Sequence, residues 1–136
     1  MSHSIVTGTD FYPTIMEMLN IPKLPEQHVD GKSFVNALKG KTHERGAIYW
    51  HFPHYSNHGY QSPGGAIRLG NYKLLEYYEN STVQLFDLHN DPGEQNDLSK
   101  SKPEISKKLL SMLHDWRKNV GAKMPQVKDD HNSSRN

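Results

Sequence analysis

The stretch 65–98 constrains this chain more than any other. It reads Gly-Ala-Ile-Arg-Leu-Gly-Asn-Tyr-Lys-Leu-Leu-Glu-Tyr-Tyr, then Glu-Asn-Ser-Thr, then Val-Gln-Leu-Phe-Asp-Leu-His-Asn-Asp-Pro-Gly-Glu-Gln-Asn-Asp-Leu. Three short runs of aliphatic and aromatic residues are separated by Gly70-Asn71 and by Glu79-Asn80-Ser81, and they close on Asn90-Asp91-Pro92-Gly93. Short apolar runs bounded by such clusters signal an antiparallel β-meander. Gly70-Asn71 supplies a two-residue hairpin loop, because both residues tolerate the positive φ of a primed turn.

The flanks supply what a meander needs. A first strand is expected over 47–52, Ala-Ile-Tyr-Trp-His-Phe, ended by Pro53, which has no amide to give a ladder. A helix is expected over 102–120, where Ile105, Leu109, Leu113, Trp116 and Val120 recur every three or four residues. Ser101 and Glu104 have the spacing of a capping box, Pro103 suits the first turn, and Gly121 is the stop. Covering the meander with that stripe contributes roughly 1.5–3 kcal/mol per large side chain.

Upstream, a helix is expected over 10–20, capped by Thr9 or Asp10 and ended by Asn20. Phe11, Ile15, Met18 and Leu19 share one face, and Tyr12 and Met16 widen it, so the helix requires a neighbour to cover it. A loop follows over 21–31, then a short helix over 33–40 and a polar connector over 41–46. The fold expected is therefore α+β: a four-stranded antiparallel sheet packed by one long C-terminal helix, preceded by one or two short helices. Its parts are an N-terminal helical segment 1–44, a sheet-and-helix subdomain 45–126 and a disordered polar tail 127–136.

Composition excludes several function classes. Lys plus Arg, 16, nearly cancels Asp plus Glu, 15, so no net field selects nucleic acid or an anionic membrane. The absence of cysteine removes disulfides, thiolate catalysis and Cys-based zinc sites together. The opening residues do not read as a signal peptide, and no apolar run approaches membrane-spanning length. Histidine and tyrosine cluster between Tyr49 and Tyr60, from the first strand into the irregular loop 54–65. His51, His54 and His58 are spaced by three and four, as a metal site on a helix would be. Pro53 and Gly59 argue against a helix there and no carboxylate joins the run, so no metal ligands are assigned. Asn80-Ser-Thr and Asn132-Ser-Ser match the glycosylation sequon, which has meaning only in a eukaryotic secretory setting.

Five segments in order carry a resemblance: Thr9-Asp-Phe-Tyr-Pro-Thr-Ile, Asp30-Gly-Lys-Ser-Phe, Arg45-Gly-Ala-Ile-Tyr-Trp-His-Phe-Pro-His-Tyr, Ala66-Ile-Arg-Leu-Gly-Asn-Tyr-Lys-Leu and Leu85-Phe-Asp-Leu-His-Asn-Asp-Pro-Gly-Glu. Together they resemble the C-terminal part of the type I sulfatases, the arylsulfatase-like branch of the alkaline-phosphatase superfamily. The resemblance implies a four-stranded antiparallel sheet with one long helix on it. It places the first helix at the edge of a large catalytic α/β domain, and it implies a periplasmic or secreted parent enzyme.

The family's catalytic apparatus is a formylglycine made from the Cys or Ser of a Cys/Ser-x-Pro-x-Arg motif, with a calcium ion held by acidic pairs. The one Ser-x-Pro here, Ser101-Lys-Pro-Glu-Ile105, has Ile in place of Arg, and Asp129-Asp130 lies in the tail. The chain is therefore expected to belong to a sulfuric ester hydrolase and to be inactive alone, with calcium and formylglycine confined to another part of a full-length enzyme. In that setting His51, His54, Tyr55 and Arg68 are the candidates for contact with a sulfated small molecule or glycan. His and Arg donate to anions and hydroxyls, and Tyr stacks on a sugar face. The bland alternative has Trp50 and Phe52 facing the core and His51 facing solvent, with Arg68 paired to Glu76 across a hairpin. A free-standing glycan-binding module and self-association through the first helix are the other expectations.

Overall fold

The computed structural model describes residues 4–24, 26, 30–55 and 62–125. His58 and the other expectations for 56–61, and those for the tail 127–136 with Asp129, Asp130 and Asn132, lie outside the described residues. The chain divides into two compact units, Met1–Gly46 and Ala47–Asn136.

In the first unit a 3-10 turn, Gly8–Asp10, leads into α1 (Phe11–Met18), and α2 (Val35–Leu38) follows. Asp10 is fully buried. A carboxylate removed from water must be given donors, and this one has three. Its Oδ2 accepts from Thr7 N and Arg45 Nε, each at 2.8 Å, and its Oδ1 accepts from Lys32 N at 2.8 Å. Arg45 Nη2 also donates to Asp30 O at 2.7 Å. Burial pushes the Asp10 carboxyl up, but the amides of Lys32 and Thr7 and the Arg45 guanidinium together hold it below the usual carboxylate value. Neither Thr9 nor Asp10 caps α1 with its side chain. This corrects the expectation: Asp10 turns back to Thr7 and outward to two distant segments instead. Thr14 adds a second tie, donating to Asp10 O at 2.6 Å and accepting from Phe34 N at 3.0 Å.

The apolar face of α1 stands in the open, with Phe11, Ile15, Met18 and Leu19 each more than half exposed. Asn20 ends the helix in the left-handed region at φ +53°, and Ile21 N bonds back to Met16 O at 2.9 Å. Gly40 and Gly121 end the other two helices in the same way.

The second unit holds β1 (Ile48–Phe52), β2 (Gly64–Leu69), β3 (Tyr72–Tyr77), β4 (Thr82–Asp87) and α3 (Pro103–Asn119). The sheet order is β1-β2-β3-β4, antiparallel throughout. Leu69 pairs with Tyr72, so Gly70-Asn71 is the whole loop. Gly70 alone takes a positive φ, +57°, and Asn71 does not. Positive φ at the first position suffices for a type II′ turn, so the expectation for Asn71 is corrected. Asn80 shapes the next turn by accepting from Thr82 N at 3.0 Å.

Tyr49, Ile67, Leu74 and Leu85 stand in one row across the four strands. Ile67, Leu74 and Leu85 are completely buried, with Leu109 and Leu113 of α3 packed on them. The end of the row is closed by Tyr49, whose ring stacks on Trp116 at 4.9 Å. This sets the faces of β1. Tyr49 and His51 turn toward α3, while Trp50 and Phe52 stand on the outer face, 47% and 37% exposed. That arrangement reverses the bland alternative: Tyr78 binds His51, the residue expected outside, while Trp116 stacks on its strand neighbour Tyr49.

No capping box forms at α3. Lys102 occupies the cap position without a side-chain bond, and Ser101 Oγ donates to Leu98 O at 3.3 Å. At the outer edge of β4, Leu98 N donates to Leu85 O at 2.7 Å, and Asp97 Oδ1 accepts from Leu85 N at 3.0 Å and Ser99 N at 2.8 Å. Burial pushes Asp97 up, but those two amides hold it below the usual carboxylate value.

Leu113→Ala is expected to cost roughly 2–5 kcal/mol by urea unfolding, whereas the exposed Val120→Ala should stay within about 0.5 kcal/mol. Asp10 titrates lower in the fold than its open-chain value of 3.8, so its contribution is whole above that pH. It is lost as acid carries the pH down through 3.8 toward the lower folded value. Hydrogen exchange at the Lys32 amide should accelerate across that window, and Asp10→Asn should accelerate it already at pH 7.

Candidate functional site

The strand ends near 52–55, 62–64 and 77–82 form one end of the sheet, and three of the four candidate residues stand there, two of them exposed. His54 follows the Pro53 stop and is exposed, its ring edge-on to Phe52 at 6.1 Å. Tyr55 is 65% exposed and donates its hydroxyl to Glu79 Oε1 at 2.5 Å. That bond to a carboxylate is the main reason the Tyr55 phenol titrates above its usual value. Sequence reasoning passed over Glu79, because Glu-Asn-Ser-Thr reads as a turn and nothing local marks a turn glutamate as a partner for a tyrosine 24 residues away.

His51 lies at the same end but faces inward. Its Nδ1 meets Tyr78 Oη at 2.6 Å and its Nε2 meets Lys123 O at 2.9 Å. A carbonyl only accepts, so Nε2 carries a proton there, and both ring nitrogens are engaged within the protein. Arg68 is at the other end. It sits opposite Ile48 and Lys73, and its Nε reaches Gly70 O at 3.5 Å. At roughly 3.3 Å per residue, it stands about 13 Å along β2 from Gly64, so the structure does not bring it to His54 and Tyr55. Nor does it pair with Glu76, whose neighbour on β2 is Gly65.

Glu76 belongs to a polar cluster between sheet and helix. Its Oε2 meets Arg117 Nη1 at 2.8 Å, with both side chains 11% exposed, and its Oε1 meets His114 Nε2 at 2.8 Å. The Arg117 guanidinium also lies over the Tyr78 ring, 5.0 Å from its centroid. Burial pushes the Tyr78 phenol up, against the opposing pull of Arg117. His51, Tyr78, Arg117 and Glu76 thus fix the strand end from which the turn 78–81 and Glu79 project.

The outer face of the sheet carries a hollow of about 280 Å³ walled by Trp50, Phe52 and Tyr77 over Gly64, Gly65 and Ala66. Close approach holds the glycines there. A Cβ on Gly64 would lie 2.7 Å from Glu76 O, and one on Gly65 would lie 2.6 Å from Tyr78 Oη. Among the described residues no group of three or more His, Asp or Glu is arranged to hold a metal ion, and no helix is long and apolar enough to cross a membrane.

The sequence matches the family described as N-sulphoglucosamine sulphohydrolase, C-terminal, over residues 1–119. It is 30% identical over 122 residues to a sulfatase of Formosa agariphila, covering 79% of this chain and 22% of that protein. It is 29% identical over 128 residues to the delta 4,5-hexuronate-2-O-sulfatase of Bacteroides thetaiotaomicron, covering 91% and 24%. A solved 2-O GAG sulfatase superposes with a TM-score of 0.65 at 26% identity, over 83% of this chain and 25% of that one. Another, solved with its substrate D-glucosamine-2-N,6-O-disulfate, superposes at 0.67 with 24% identity, over 88% and 25%, and speaks for the fold alone. The chain spans about a quarter of the length of these relatives.

Arg117→Met is expected to destabilise the second unit by roughly 3 kcal/mol, because it strips a nearly buried carboxylate of its main partner. Pairing it with Glu76→Leu should cost less than the two single changes summed, as a double-mutant cycle in urea would read.

Proposed function

Because the chain belongs to the N-sulphoglucosamine sulphohydrolase C-terminal family, we propose that it completes a sulfatase fold and builds the rim of its substrate pocket without cleaving the ester itself. One observation carries this reading. The exposed His54 and Tyr55 project from one end of a sheet whose interior is locked by packing and by a buried ion pair. Groups on a rigid scaffold, placed at its end, suit contact with a ligand held elsewhere. His54 donates to a hydroxyl or a sulfate oxygen, and Tyr55 offers a ring face. His51 supports that end from behind, and Arg68, apart from the others, suits a separate anionic group.

The family's formylglycine and calcium do not fit the residues of this chain. There is no cysteine. Ser101 precedes Ile105 where the motif has arginine, and it is bonded to Leu98 O at a helix start. No step is therefore derived through either group, and both are assigned to another part of a full-length enzyme. The open apolar face of α1 fits a second proposal, that segment 1–44 packs on that other part. The substrate class proposed is a sulfated glycan or small molecule, as the names of the relatives suggest.

Pure chain is expected not to turn over an aryl sulfate with or without added calcium, and measurable release of the phenol would overturn the reading. Chemical-shift titration with a sulfated disaccharide should perturb residues around His54, and His54→Ala should abolish those shifts. Removal of residues 1–20 should leave a monomer by light scattering if the full chain self-associates through α1.

A further inference from the structure

We propose that the outer-face hollow is a subsite for an uncharged pyranose ring, stacked against Trp50 and Phe52. The proposal rests on the glycan-directed reading above and uses different residues. Trp50 and Phe52 lie two apart on the edge strand β1, so their rings rise from the same face of the sheet. Large aromatic surface left in water at an edge marks a contact surface, and flat rings suit the apolar face of a sugar. The neighbouring strand keeps the space clear. Gly64, Gly65 and Ala66 present almost no side chain, and Gly64 has no room for one because Glu76 O would lie 2.7 Å from its Cβ. The emptiness is thus fixed by backbone packing.

Size and charge narrow the occupant. At about 280 Å³ the hollow falls near the lower end of the roughly 300–1,000 Å³ usual for ligand sites, which suits one ring rather than an oligosaccharide. No Lys or Arg is among its lining residues. A sulfate ester would therefore meet no counter-charge there. The ring recognised here is accordingly an unsulfated one.

The test is a titration of the full chain with methyl glucoside and, separately, its 6-O-sulfate, followed at the Trp50 indole N–H by NMR. The neutral sugar is expected to shift that signal. Trp50→Ala and Phe52→Ala should each weaken its binding by roughly tenfold, and the exposed Val120→Ala should leave it unchanged. A silent indole overturns the proposal. So does an indole shift that follows protein concentration without sugar, which would make the hollow a contact between copies. If the sulfated probe needs His54 while the neutral one ignores Trp50, this proposal fails and the rim reading stands. If the neutral probe binds at Trp50 and the sulfated one ignores His54, the rim reading fails instead.

Discussion

Ile67, Leu74 and Leu85, side by side on three strands and sealed by Leu109 and Leu113, are the contact on which the second unit depends. These five side chains exclude water completely or nearly so, and interiors packed to that density leave little freedom to the elements that carry them. Once α3 lies on this row, the orientation of every strand is decided. β1 must send Tyr49 and His51 inward and leave Trp50 and Phe52 outside. The aromatic hollow is a by-product of a core on the opposite face.

Two buried carboxylates do the complementary work of register. Asp10 takes hydrogen bonds from Thr7, Lys32 and Arg45, segments that lie far apart in sequence. Glu76 takes an arginine and a histidine from one helix. A displaced segment would leave charge without a partner in a dry place, which costs more than the loss of an apolar contact of similar size. The Thr-Asp, Asp-Gly-Lys and Arg-Gly segments, disconnected along the chain, are joined in the first unit by a single side chain.

What the sequence disclosed was mostly local. The strand runs, the hairpin at Gly70, the apolar stripe of α3 and the helix stops at Asn20, Gly40 and Gly121 each follow from residues a few positions apart, where turn chemistry and periodicity act. What it concealed depended on contacts across the fold. Alternation in β1 defines two faces without saying which one meets the helix. The Ser101–Glu104 spacing met the pattern of a capping box, yet Ser101 bonds Leu98 instead. Arg68 and Glu76 looked like a cross-hairpin pair until the register set Arg68 against Lys73. His54 and Tyr55 were legible as candidates from composition, whereas Glu79 and the Trp50 wall came into view only through partners remote in the chain.

The guard on the β4 edge has a chemical weakness. Leu85 offers its amide sideways, and the group that covers it is the Asp97 carboxylate rather than another strand. Covered edges keep sheets from recruiting foreign strands. Acid that neutralises Asp97 weakens that cover while the sheet itself is still intact. Below the carboxylate range, then, the margin of β4 leans on the bond that remains there, from Leu98 N to Leu85 O.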